Sequence, residues 1–383
     1  MPADAAGRTD ADRAAAGGTP ASPELLRSPG EVPPEIADGW RRLVAEDPHG
    51  SWFATPEWVL SWWETLGAGA GSGELALWRR PDGRVAAVVP LLRTAVRLHP
   101  RLPLTAPCLT LLGSGPGAAD HCGPPVAADH RPTVRAWLAE RAHRTTLWLP
   151  DLDPEAAPVL PAGARPVATA ACPRTDLTAG PDALGSRQFR SSVRRYRRKL
   201  DAEGVSFRWV GPAEAGPAEL DEVLALHRLR RAALGRPTTF DTGRRPLHLR
   251  VMERAARATA AQGNGPAFLL AEHEGRTIGG LYGFRWGTGF AYYQIGWDPA
   301  WAPLRLGTAV IAEAVRSCAE QGLRTFDFLR GTEAYKYRFG AEDRHDISWL
   351  RPHGATGALL AAKLRLKQGR AAAAPPSPAS ARP

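Results

Sequence analysis

Long apolar runs are absent. Nowhere in the 383 residues do about 18 hydrophobic residues follow one another, so an ordinary membrane-spanning helix is not expected. The first 35 residues hold no apolar core of a secretory signal. The four cysteines, Cys108, Cys122, Cys172 and Cys318, lie far apart and form no Cys-x-x-Cys pair. That spacing gives neither a zinc pattern nor a disulfide framework, and isolated thiols suit a reducing cytoplasm. No metal is expected. Lysine is scarce: Lys199, Lys336, Lys363 and Lys367 stand among 49 basic residues. The formal charge of +10 is therefore carried by arginine. It favours an anionic partner, whether a pyrophosphate, an RNA or an acidic membrane face.

What is present reads as globular. Hydrophobic residues make up 44% and charged residues 23%. The length allows two domains with tails. Residues 1–34 are rich in Ala, Gly, Pro and Asp, with little to bury, and are expected to be disordered. Order is expected from Ile36, Trp40 and Leu43, which keep helical spacing. Thr55-Pro56-Glu57 opens a helix with a capping hydroxyl, a proline suited to the first turn and an acid matching the dipole. Trp58, Trp62, Trp63 and Leu66 share its broad face and read as core. Strands at 75–78 and 85–92 flank Pro81-Asp82-Gly83, and Pro90 reads as a strand end or edge position. Residues 93–107 read as a loop, 109–112 as a short strand, 132–143 as a helix and 146–149 as a strand. Residues 150–185 read as a connector with one or two strands. Asp120-His121-Cys122 offers ligand-type side chains, but one His and one Cys side by side do not supply three or four convergent ligands.

Phe189, Val193, Tyr196 and Leu200 recur at helical steps, with Arg190, Arg194, Arg195, Arg197, Arg198 and Lys199 between them. Such a helix either presents a solvated face or tracks RNA phosphates. The order that follows is better patterned. A strand at 205–210 precedes helices at 219–234 and 244–262. Strands at 267–272 and 277–286 flank Glu274-Gly275, a third strand spans 290–297, and a helix covers 307–321. A strand at 324–329 and a last strand at 346–351 enclose a polar cluster. Within 326–340 lie Asp327, Arg330, Glu333, Tyr335, Lys336 and Arg338. Charged and phenolic groups at the C-terminal end of a strand form a candidate site. The segment 358–370 mixes leucines with Lys363, Arg365, Lys367 and Arg370. It reads as a docked terminal helix or a peripheral contact with an acidic membrane.

The element order resembles the GNAT acyltransferase fold. Asp327-Phe328-Leu329-Arg330-Gly331 and Tyr335-Lys336-Tyr337-Arg338-Phe339-Gly340 resemble the C-terminal signature of CelD/BcsL-type acetyltransferases, a branch linked to polysaccharide synthesis. Tyr293-Gln294-Ile295-Gly296-Trp297-Asp298-Pro299-Ala300-Trp301, Leu306-Gly307-Thr308 and Phe53-Ala54-Thr55-Pro56-Glu57-Trp58 fit the same family. The likeness spans roughly residues 38–351. It implies an α/β protein of two tandem GNAT-like lobes, each a mixed, mostly antiparallel sheet flanked by helices. The expected divisions are a tail at 1–35, an N-terminal lobe with connector at 36–185, the acyltransferase lobe at 186–355, and a basic helix with tail at 356–383.

The resemblance further implies acetyl-CoA or another acyl-CoA as donor, with no metal. Its cradle would be Arg305, Leu306, Gly307, Thr308 and Ala309, where a helix start offers N–H groups and a positive dipole end. In that family an Arg or Gln stands three residues before the first glycine. Here Leu304 holds that place and Arg305 comes one step late, which leaves the related Fem peptidyltransferases, with aminoacyl-tRNA as donor, as an alternative. For catalysis, Asp327 or Glu333 would be the base and Tyr335 or Tyr337 would protonate the thiolate. Arg330 and Lys336 would hold a phosphate, an acidic acceptor or Asp327. No serine–histidine–aspartate arrangement stands out, which favours direct transfer. A non-catalytic partner in polysaccharide synthesis is a third reading.

Overall fold

The computed structural model describes residues 22–115, 119–238 and 243–373. The first half contains β1 (Glu24–Leu26), α1 (Pro34–Glu46), α2 (Pro56–Trp62), α3 (Ala68–Ala70), β2 (Ser72–Arg79), β3 (Val85–Arg97) and β4 (Thr105–Leu111). It continues with α4 (Arg131–Ala142), β5 (Thr146–Leu152) and β6 (Arg165–Asp176). The second half begins with α5 (Arg187–Ala202), β7 (Ser206–Val210), α6 (Pro217–Ala233) and α7 (Arg245–Ala258). Next come β8 (Gly265–His273), β9 (Arg276–Trp286), β10 (Gly289–Trp297), α8 (Leu306–Glu320) and β11 (Thr325–Asp327). The chain ends on α9 (Ala334–Tyr337), β12 (Glu342–Arg351) and α10 (Gly354–Ala373). This is a mixed α/β architecture with a large, mostly antiparallel sheet.

Local chemistry explains the boundaries. Thr55 caps α2 by accepting the Trp58 N–H, and Pro56 occupies its first turn. Glu274 and Gly275 both take positive φ, 49° and 72°, as the tight turn between β8 and β9 requires. Gly296 in β10 brings the sheet against α6 so closely that a Cβ there would strike the backbone of His227. His227 also bonds the Ile295 carbonyl through Nδ1 at 3.1 Å, so α6 is pinned to β10 at this point.

The strands join into one sheet in the order β1-β2-β3-β4-β5-β12-β6-β11-β10-β9-β8-β7. Each half repeats one pattern. β2, β3 and β4 form an antiparallel meander, and β5 returns parallel to β4. β8, β9 and β10 do the same, and β11 returns parallel to β10. The two last strands are exchanged. β6, from the first half, pairs with β11, and β12, from the second half, pairs with β5. β6 and β12 pair with each other at the centre, from Glu342–Arg174 to Leu350–Arg165.

A shared apolar core backs this weld. Trp52, Phe53 and Trp58 meet Phe284 at ring-centroid distances of 5.5–5.7 Å, and Trp58 reaches Tyr293 at 6.0 Å. The tryptophans of α2 are thus core, as their spacing indicates.

Three expectations need correction. β1 lies inside the stretch expected to be disordered and pairs with β2; residues 1–21 fall outside the described residues. The expected loop at 93–107 is largely strand, because β3 runs to Arg97 and β4 starts at Thr105, closed by the Leu98 N–H on the Leu104 carbonyl. Pro90 stands inside β3. The β4 ladder ends at Leu91–Leu111, so the absent proline N–H falls just past that pairing. The connector holds β6, one of the strands expected there, and pairing with β11 and β12 makes it a central one. Its alanines and prolines have little β propensity, and pairing on both edges decides its conformation.

Candidate active site

β10 and β11 pair over three positions only, from Gly289–Thr325 to Ala291–Asp327. Beyond Ala291 a register irregularity between Tyr292 and Gln294 bends β10, which continues to Trp297 paired with β9 alone. β11 ends at Asp327 and the chain turns through Leu329, held at a φ of 54°. Two parallel strands that part at their C-terminal ends leave a notch between them, where open α/β sheets bind ligands.

The N-terminus of α8 follows β10 after a 3-10 turn at Pro299–Leu304. Arg305 sits at its cap with a φ of 62° and gives no side-chain cap, and the first turn holds no acid. The N–H groups of Thr308 and Ala309 go to the Arg305 carbonyl. Those of Leu306 and Gly307 meet no acceptor among the described residues. Gly307 packs on Trp297, and a Cβ there would come within 2.9 Å of the indole. Of the five expected cradle residues, Leu306 and Gly307 are thus the two whose N–H groups have no acceptor among the described residues.

Tyr292, the first residue past the last β10–β11 pair, is buried. Tyr335, on α9, is hydrogen-bonded to it. Burial raises both phenols well above their usual range, so both stay protonated. Arg230, three residues beyond the pinned His227 of α6, lays its guanidinium over the Trp297 ring at 3.6 Å.

On the other side of Asp327 lies an ionic network between the halves, buried at His121 and Asp346. His121, at a φ of 52°, directs Nε2 at Asp327 Oδ2, 3.0 Å away, and Nδ1 at Asp346 Oδ1, 2.8 Å away. Its backbone N–H also donates to Asp346 Oδ2 at 2.6 Å. Burial disfavours the charged ring, but Asp327 and Asp346 outweigh it and push the imidazole up to about 10. His121, Cys172 and Asp346 bring ligand-type atoms within 4.8 Å of one another. A metal there would have to displace the proton that Asp327 and Asp346 favour on the ring. Next to it, Arg330 forms a fork on Asp120, with Nε at 2.9 Å and Nη2 at 2.6 Å, and reaches Asp151 at 2.9 Å. Asp120, His121, Asp151 and Asp346 are the members that sequence reasoning passed over. Asp120 and His121 were visible as a cluster, but nothing local told that Asp327 and Arg330 would meet them.

The remaining expected site residues fall as follows. Asp327 also accepts the Leu329 N–H at 2.7 Å, so both its oxygens are engaged. Lys336 is buried and points Nζ at the carbonyls of Leu329, Arg330 and Gly331, at 2.9–3.0 Å. Glu333 pairs with Lys336 at 3.0 Å but keeps half its side chain exposed. Tyr337, at the surface, donates to Asp343. The structure therefore gathers Tyr335 and Glu333 at the notch. Asp327 is held by His121, Arg330 by Asp120 and Asp151, and Lys336 by the loop carbonyls.

Comparisons with known proteins fit this geometry. Residues 187–337 match the family model of the acetyltransferase (GNAT) domain. No curated protein matches the sequence. A crystal structure of FemX is similar in fold, with a TM-score of 0.59 at 13% identity over 86% of this chain and 97% of that one. L-PGS from Bacillus licheniformis gives a TM-score of 0.55 at 12% identity, over 90% and 98% of the two chains. The C-terminal domain (DUF2156) of a putative lysylphosphatidylglycerol synthetase from Agrobacterium fabrum gives 0.52 at 10% identity, over 90% and 97%. The match at 187–337 makes this segment a GNAT acetyltransferase domain and supports an acyltransferase.

Proposed function

We propose that this protein transfers an acyl group from acetyl-CoA or another acyl-CoA directly to an amine or hydroxyl acceptor, with the donor in the notch between β10 and β11. The observation that carries the reading is the parallel pair that stops at Ala291–Asp327 in front of the uncapped start of α8. The N–H groups of Leu306 and Gly307 and the helix dipole suit a pyrophosphate. The edge of β10 beyond Ala291 that faces away from β9 suits the amides of the donor's arm.

In this reading Glu333, half exposed beside Tyr335, takes the acceptor's proton. The acceptor attacks the acyl carbon, the C–S bond breaks, and the neutral Tyr335 phenol protonates the departing thiolate. Asp327, Arg330 and Lys336 position the loop that carries both groups. The CelD/BcsL resemblance makes a cell-envelope saccharide the first acceptor class to screen, in a cytoplasmic setting.

Calorimetric titration with acetyl-CoA and desulfo-CoA tests the donor. Micromolar binding is expected for the wild type. Gly307→Pro removes one of the two N–H donors and crowds Trp297, so binding should weaken about tenfold or more. Tyr335→Phe should keep binding and slow turnover about a hundredfold. Absence of binding at millimolar acetyl-CoA would remove the donor assignment, and a bound but inert protein would favour the non-catalytic reading.

A second reading, with aminoacyl-tRNA as donor, rests on α5. Arg187, Arg194, Arg195, Arg198 and Lys199 are exposed and have no carboxylate partner among the described residues, whereas Arg197 pairs with Asp201 and Glu313. A cavity of about 490 Å³ lies against the first turn of this helix, lined by Ser186, Gln188, Phe189, Ser192, Tyr337 and Arg338, among others. Salt-sensitive binding of charged tRNA that is lost in Arg194→Glu/Arg195→Glu/Arg198→Glu would favour it.

A further inference from the structure

We infer that Arg230 is the receptor for a carboxylate carried by the substrate close to the transferred acyl group. The inference rests on the acyl-transfer reading of the notch and deepens it.

Arg230 is an anomaly by ordinary rules. A guanidinium removed from water is normally paired with an acid or fully hydrogen-bonded. Here Nε is completely covered and has no acceptor, and no carboxylate pairs with the side chain among the described residues. Its contact is the Trp297 face at 3.6 Å, which steadies a cation without using its N–H groups. The residue as a whole is part-exposed, and Nε is its covered, unbonded nitrogen.

Its place is built. Gly296 and the His227–Ile295 bond fix α6 on β10, which sets where the Arg230 side chain starts, and the Trp297 ring seats its guanidinium. Trp297, the surface it rests on, is also the residue against which Gly307 packs. Tyr292 and Tyr335 stand within its electrostatic reach. Tyr292 is the first residue past the last β10–β11 pair, and Tyr335 is hydrogen-bonded to it. A flat guanidinium held on a ring presents its N–H edge to a planar oxyanion, and carboxylates match that fork. The location beside the two phenols assigns that carboxylate to the reacting end of the substrate rather than to a distant pyrophosphate. Two sources share this chemistry: an acyl group ending in a carboxylate, or an acceptor amine that bears one.

The experiment uses the full chain, as wild type, Arg230→Gln and Arg230→Lys, with unfolding midpoints without ligand as the folding control. The first arm is free of donor and compares glutarate with the uncharged glutaramide by thermal shift. Wild type should be stabilised by glutarate and not by glutaramide, Arg230→Gln by neither, and Arg230→Lys in part. The second arm titrates succinyl-CoA against acetyl-CoA. A preference of about tenfold for succinyl-CoA that disappears in Arg230→Gln places the carboxylate on the acyl group, and equal affinities place it on the acceptor. Equal effects of glutarate on wild type and Arg230→Gln, or of glutaramide and glutarate on wild type, would overturn the inference. Failure of acetyl-CoA to bind while the glutarate effect persists would instead count against the donor assignment and leave Arg230 standing.

Discussion

His121 shows how a residue acquires its character from two distant carboxylates. Its folded pKa is raised to about 10 against an ordinary value of 6.5. A raised value means that the folded state binds the proton more tightly, so this stabilisation is full below about pH 6.5 and fades as pH climbs toward 10. Thermal unfolding followed by circular dichroism should therefore show a midpoint that falls across that window. His121→Asn should flatten the dependence and cost about 3–5 kcal/mol, because it leaves Asp327 and Asp346 facing each other in a buried site. A midpoint that stays level from pH 6.5 to 10 in the wild type would contradict the charged state of the ring. Tyr335 illustrates the converse case. Burial keeps its proton on, which is what a donor to a departing thiolate requires.

At the scale of elements, the loop after β11 is held by a side chain rather than by secondary structure. Lys336 bonds three successive carbonyls, at 329–331, and thereby sustains the left-handed Leu329. Lys336→Met keeps the aliphatic stem and removes those bonds, so a loss of about 1–3 kcal/mol in stability is expected from chemical denaturation, with a larger loss in turnover. An unchanged turnover would show that the loop's conformation is not needed for chemistry. α5 allows a separate test. Reversing Arg194, Arg195 and Arg198 should leave stability within about 0.5 kcal/mol, since these exposed charges have no carboxylate partner among the described residues.

The whole molecule is governed by the exchange of β6 and β12. Each half lends its last strand to the other, and the Asp120–Arg330 contact and the His121 contacts with Asp327 and Asp346 cross the same seam. The two halves should unfold together. Calorimetry should give one transition whose van't Hoff and calorimetric enthalpies agree, and two resolved transitions would show that the seam does not couple them. We propose 36–185 and 186–355 as the lobes in evolutionary terms. Expressed alone, the second would lack β6 and leave the edges of β11 and β12 open, so aggregation is the expected outcome in light scattering.

Sequence by itself determined the element order of the second half, the Thr55 cap, the hairpin at Glu274-Gly275 and the polar cluster after β11. These follow from short-range rules, because period, caps and turns act over a few residues. Tertiary structure decided what lies far apart in the chain. It made a central strand of the Ala- and Thr-rich β6, placed Pro90 inside β3, and gave Arg330 to Asp120 and Asp151 instead of to Asp327. It also set His121 between two carboxylates and Arg230 over Trp297. Each of these depends on pairing partners up to 225 residues distant, and no local pattern encodes which of them will meet. The reason is physical: a strand's partner and a buried charge's counter-charge are chosen by the packing of the whole sheet, where leaving either unpaired costs more than local preference can supply.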